Sequence, residues 1–245
     1  MTDITSSRFH SGDKVTDWAS LAGLVEEFSS TEWIFRGVDD ARHSLLPSIG
    51  RPGTRKDLQS GRNLPFDETE ELKMLRRFER EVRPHAPTPK HTDIEHDLEL
   101  RAMAQHHGLK TRLMDWSRSP LVAAFFAVER AGLDHGKEID AALYGAPCPL
   151  VIESGQRWPS GHDVVAYEPP HMTPRITVQH ALFTVHRQPD QAWMPQSMRR
   201  WVIPSQACIH IKLALSRAGI NRASLFPDRD GIATHINWLH KWGLQ

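Results

Sequence analysis

The sequence predicts an α+β domain. Short runs rich in aromatic and β-branched residues, such as 33–37 and 201–203, read as strands. Longer stretches with apolar residues at helical spacing lie between them. The two kinds of element follow one another irregularly, which fits an α+β domain better than a regular βαβ array.

The 245 residues leave room for one large domain or two small ones. We expect a flexible lead-in over 1–16 and a single domain over 17–245. Thirty basic and thirty acidic residues cancel, which argues against non-specific nucleic-acid binding but leaves a local basic patch open. Cys148 and Cys208 stand far apart without metal-type spacing and read as free thiols of a reducing cytoplasm. The first residues, Met1 to Ser7, are polar with no apolar core, and no apolar run reaches membrane-spanning length. A cytoplasmic protein without a membrane partner is therefore expected. The chain holds fifteen histidines, but His106 and His107 are adjacent and no second ligand pair stands at zinc spacing. No metal is expected. His106 or His107 is then a polar site residue or a core histidine.

In chain order, residues 1–15 read as a loose lead-in. Residues 16–30 predict a helix carrying Trp18, Leu21, Leu24, Val25 and Phe28 on one face. Residues 33–37 predict a strand that ends on Arg36-Gly37. Arg36 either closes a salt bridge at the strand end or grips a carboxylate or phosphate with its planar fork. Gly37 lets another backbone, or a ligand, come close. Residues 45–49 are extended and 50–66 a flexible loop. Asp67 caps a helix, with Glu70 in capping-box position, and the charges of 68–81 read as a solvated face. Asp97 opens the next helix.

The stretch from Gln105 to Ala127 organises the rest. It reads as helix end, polar loop, new helix. Gly108 ends the first helix, Ser119 caps the second, and Pro120 suits its first position. Residues 121–128 are nearly all apolar, so that helix is buried. The loop between holds Arg112, Asp115, Ser117 and Ser119, whose polar groups need partners: one another, backbone or a ligand. An Arg112–Asp115 pair is the simplest arrangement.

Farther on, 140–144 and 149–152 predict strands and 153–171 a surface loop. Residues 175–186 predict a central strand with Gln179 in its middle, either a structural bridge or a site residue. Residues 201–203 form a short strand. Ser205 caps a helix stopped by Gly219, 224–228 is a turn, and 231–242 is a last helix with Ile232, Ile236 and Leu239 on one face.

Three pieces together resemble the FRG domain. They are Phe35-Arg36-Gly37, the run from Gln105 to Trp116, and Arg175, Gln179 and Phe183. Gly219-Ile220 with Ser224-Leu225-Phe226-Pro227 is similar to the family's C-terminal signature. Met114 and Ser117 stand where leucine and threonine are usual. A second, weaker resemblance is to ADP-ribosyltransferases. It rests on Phe35-Arg36-Gly37, on Ser117-Arg118-Ser119 before a small-apolar helix, and on the strand 175–186. This resemblance implies a mixed or antiparallel sheet core flanked by helices, with NAD as substrate and cofactor. It implies that Arg36 holds the NAD phosphates or ribose and that Ser117 or Ser119 props the nicotinamide pocket; Gly37, which admits a close ligand, and His106, as a polar site residue, stand with them as cofactor-binding candidates. Gln179 stands at the place of the catalytic glutamate. A glutamine cannot stabilise an oxocarbenium-like cation by charge. Asp115, with Arg112 beside it, or Glu168 is then left to supply a carboxylate. The implied function is an NAD-dependent ADP-ribosyltransferase or NAD glycohydrolase with a macromolecular acceptor, in a toxin or phage-defence setting. The alternative is a binding module that uses the same pocket for a nucleotide or macromolecule without chemistry. A third reading makes the polar loop internal scaffolding.

Overall fold

The computed structural model describes residues 13–29, 32–85, 93, 95–130, 138–169 and 181–244. The expected α+β class is found. Among the described residues six strands form one antiparallel sheet, with seven α-helices packed around it. The strands are β1 (Trp33–Val38), β2 (Leu113–Ser117), β3 (Ala141–Pro147), β4 (Val164–Tyr167), β5 (Ala181–His186) and β6 (Arg199–Ile203). The helices are α1 (Trp18–Glu27), α2 (Glu68–Val82), α3 (Leu98–His106), α4 (Pro120–Val128), α5 (Ser205–Arg217), α6 (Arg222–Leu225) and α7 (Arg229–Lys241). The sheet runs β4-β5-β2-β1-β3-β6.

Pairing along the sheet is uneven. β1 pairs with β3 from Trp33↔Pro147 to Val38↔Ala142, and β2 pairs with β5 from Leu113↔Val185 to Ser117↔Ala181. Between β1 and β2 the ladder has one register position, Phe35↔Ser117. Two well-zipped halves therefore meet at a seam that opens beyond Phe35.

Helices cover one face of the sheet in two groups. Over β1, β3 and β6 lie α1, α4 and α5, and their core holds Leu21, Phe35, Ala124, Phe125, Leu143, Trp201 and Ile211. Over β2, β5 and β4 lies α3, whose Leu98 and Ala102 pack on Leu113, Val165, Phe183 and Val185. The other face carries Ile34, Met114, Trp116, Tyr144 and Leu182 under Leu45 and Met198. Local chemistry sets the helix starts. Asp17 and Asp97 cap α1 and α3, and Ser119 caps α4, with Pro120 in its first turn. The α4 backbone lies directly on β1 because Gly37 has no side chain. A Cβ there would overlap the Ala123 carbonyl oxygen and the Ala127 nitrogen.

Several expectations change. The polar loop before α4 contains strand β2, and the loop 153–171 contains β4. In β2, Asp115 interrupts an apolar run, so the pattern reads as loop until β5 pairs with it. Residues 149–152 contribute only an isolated bridge, Val151↔Ala166. Residues 13–15 are no loose lead-in: Val15 is buried, its N–H donates to Val202 O, and Val202 N–H donates to Asp13 O. Pro204, not Ser205, precedes α5, and 222–225 is a short helix. Ile232 and Ile236 are exposed, and α7 buries Gly231 and Trp238 instead. The backbone of Gly231 abuts Phe226 O, which sets the helix's rotation. Arg175 and Gln179 lie outside the described residues. Among the described residues no helix is long and apolar enough to cross a membrane.

Candidate functional site

Strand period decides which side chains can meet. In β2, residues 113, 115 and 117 share one face, while 114 and 116 share the other. Leu113 packs under α3. Ser117 sits opposite Phe35, near the start of α4. Asp115 falls between the two helix groups. It is the only exposed residue of its strand, with 65% of its side chain open to solvent. Leaving a carboxylate exposed on a central strand requires a gap in the helical layer, and the cleft is that gap.

The cleft has a volume of about 750 Å³. That lies within the range of roughly 300–1,000 Å³ usual for small-molecule sites. Arg36, Gly37 and Val38 of β1 and Asp115, Trp116 and Ser117 of β2 line it along the seam. Ala102, Gln105 and His106 of α3 form one wall, and Ala123 and Phe126 of α4 with Phe226 form the other. Phe183 of β5 adds another aromatic ring, and Arg51, His43 and Arg130 stand around it.

Arg36 bridges the seam. Its Nη1 donates to the Asp115 carbonyl oxygen and lies 3.8 Å from the Asp115 carboxylate. The guanidinium is 17% exposed. Burial pulls its pKa below the ordinary value, the negative charge of Asp115 pushes it back up, and Arg51 works against it again. Gln105 holds Asp115 from the other side: Nε2 donates to Oδ1 at 3.1 Å. The amide is itself oriented, since Thr111 Oγ1 donates to Gln105 Oε1. Thr111 is fully buried. The order Thr111, Gln105, Asp115, Arg36 is thus a continuous polar chain across the cleft floor.

The serines serve the start of α4. Ser119 N–H donates to Ser117 Oγ at 3.0 Å, and Val122 N–H donates to Ser119 Oγ at 3.4 Å. Ser117 lines the cleft, whereas Ser119 acts as a helix cap. Glu168 is engaged by Arg118 and does not line the cleft.

Arg112 departs from expectation. It does not pair with Asp115, because it precedes β2 in a bend and turns to α2 instead. Its Nε donates to Glu71 Oε2 at 2.6 Å, and its Nη2 donates to Glu68 Oε1 at 2.7 Å. Glu71 also lies 3.7 Å from Arg101, and all three members of this Arg–Glu–Arg group are buried. Burial opposes the charge of Arg112, but Glu71 and Glu68 overcome it and raise its pKa. For Arg101, farther from Glu71, burial prevails and the pKa is lowered. Arg112 is thus a structural tie between β2 and α2, outside the cleft.

Of the residues singled out from sequence, the cleft gathers Arg36, Gly37, His106, Asp115 and Ser117. Gln105 was not among them, although it opens the same motif. Phe126 and Phe226 stand inside stretches that the sequence singled out but were not read as site residues, and Arg51, from the loop 50–66, gave no signal. Among the described residues no group of three or more His, Cys, Asp or Glu could hold a metal ion.

The family model of the FRG domain matches residues 31–135. That span holds β1, α2, α3, β2 and α4, and so both walls and most of the floor of the cleft. No curated protein and no solved structure matches the chain. Phe35-Arg36-Gly37, the stretch of β1 that opens the seam, lies within the matched span, and residues 31–135 are similar to an FRG domain.

Proposed function

We propose that the cleft binds NAD and that the protein cleaves its nicotinamide–ribose bond, passing ADP-ribose to an acceptor or to water. One observation carries this reading: the carboxylate of Asp115 and the guanidinium of Arg36 meet on the floor of a cleft walled by aromatic rings. Arginines suit a diphosphate, with Arg36 on the floor and Arg51 beside it. Phe126, Phe183 and Phe226 suit the flat rings of a dinucleotide. The weaker resemblance of Phe35-Arg36-Gly37 and Ser117-Arg118-Ser119 to ADP-ribosyltransferases supports the same assignment.

In the proposed reaction the bond between C1′ of the ribose and the nicotinamide nitrogen breaks. Its electron pair leaves with neutral nicotinamide, and positive charge develops on the ribose. Asp115 stabilises that charge electrostatically, held in place by Gln105. A water or acceptor oxygen or nitrogen then bonds to C1′ and gives up a proton. A toxin or defence role would follow from depletion of NAD or modification of an acceptor.

A second reading keeps the ligand and drops the chemistry. Its support is that Asp115 already has two protein partners, Arg36 and Gln105. Incubating the protein with NAD and measuring nicotinamide release decides between the two. The catalytic reading expects release from wild type and a loss of at least about 100-fold in Asp115→Asn at unchanged melting temperature. Equal release from both proteins removes Asp115 from the chemistry. NAD binding without release leaves the binding module.

A further inference from the structure

The sequence marks 50–66 as a flexible loop, yet the turn that leads into it is fastened on three sides. Thr111 N–H donates to Ser48 Oγ at 3.2 Å, Ile49 N–H donates to Thr111 O at 3.3 Å, and Ser48 Oγ donates to the same oxygen at 3.4 Å. Thr54 Oγ1 donates to Ser48 O at 3.0 Å and ties the turn from above. On the far side Gly50 lies against the backbone of Pro189, so closely that a Cβ would overlap the Pro189 carbonyl. Thr111 is fully buried just ahead of β2. The turn is thus docked on the frame that also carries Gln105 and Asp115.

What this turn delivers is Arg51, an exposed residue that lines the cleft. Arg51 Nε donates to Leu46 O at 3.2 Å, which orients the guanidinium, and its two Nη groups have no protein partner among the described residues. Of the arginines lining the cleft, Arg36 lies 3.8 Å from the Asp115 carboxylate and Arg130 lies 3.4 Å from that of Asp39. Arg51 has no carboxylate partner among the described residues, and its charge is close enough to Arg36 to lower the pKa of that group. Two like charges held side by side repel, and an anion between them relieves the repulsion. Each guanidinium offers a planar fork of donors that fits one phosphate group. Two such forks fit two linked phosphates, whereas Arg36 alone is enough for one.

We infer that Arg51 is the specificity-determining residue of the cleft: together with Arg36 it grips both phosphates of a diphosphate, so that the cleft takes diphosphates in preference to monophosphates. Only the identity of the groups at either end of that diphosphate rests on the function proposed above.

The test titrates the full chain, wild type and Arg51→Gln, with inorganic phosphate, with pyrophosphate and with NAD at one fixed ionic strength. We expect wild type to bind pyrophosphate at least about tenfold more tightly than phosphate, the size of one lost charge-assisted contact. In Arg51→Gln that preference should largely vanish, and NAD affinity should fall with it, at an unchanged melting temperature because the side chain is exposed. Should Arg51→Gln fail to fold, Arg51→Lys, which keeps the charge and loses the fork, is judged by the same preference, which should still fall. A wild type that binds neither anion, or both equally, overturns the inference. So does a folded Arg51→Gln that keeps the wild-type preference. A wild type that prefers pyrophosphate through Arg51 but binds no NAD sinks the nucleotide reading and leaves the diphosphate grip standing. NAD bound equally by wild type and Arg51→Gln keeps the NAD site and overturns the grip.

Discussion

His186 shows how burial alone can give a side chain a pH-dependent role. Burial lowers its pKa from 6.5 to about 3, and the nearby charge of Arg36 adds to the effect. The folded ring therefore stays neutral while the unfolded ring titrates near 6.5. Above that value both states are neutral and the contribution to stability is fully present. As pH falls toward about 3, the unfolded chain binds a proton that the folded chain refuses, and stability drops. Denaturant titrations across this window should show a slope that flattens in His186→Phe; equal slopes would mean that the ring is not buried neutral. At this scale the sequence was partly legible. Arg36 and Asp115 stood out as charges interrupting apolar runs, and both reach the cleft. His186 gave no sign, since its environment is assembled from β2, β5 and Trp193.

At the scale of elements, α2 shows what periodicity cannot reveal. Its alternating charges read as a solvated face, yet Glu71 is 1% exposed and holds Arg112 of the β2 segment and Arg101 of α3. The partners lie 30 and 41 positions away in sequence, so no local pattern announces them. Glu71→Ala would take from Arg101 and Arg112 the buried carboxylate they share, and about 3–5 kcal/mol of stability should be lost. Chemical denaturation measures this directly, and a loss below about 1 kcal/mol would show that solvent reaches the site. The same lesson applies to β2. Reading it as loop made an Arg112–Asp115 pair plausible. As a strand it turns Asp115 to the cleft, while Arg112, in the bend before it, anchors α2. The starts of α2, α3 and α4 were legible because Asp67, Asp97 and Ser119 act through neighbouring backbone.

Across the whole molecule, two zipped half-sheets meet at Phe35↔Ser117, and the helices above them part over the same seam. Neither feature can be read from one segment, since each depends on where α3 and α4 settle. The FRG match covers both helices and both seam strands, so this stretch contains the cleft's main frame. The central claim is that this frame grips a dinucleotide through Arg36. Calorimetric titration of wild type and Arg36→Lys with NAD tests it most directly. Lysine keeps the charge but loses the planar fork. The account predicts one NAD site in wild type and affinity at least about tenfold weaker in Arg36→Lys. Absence of NAD binding by wild type, or equal affinity in the two proteins, would contradict it.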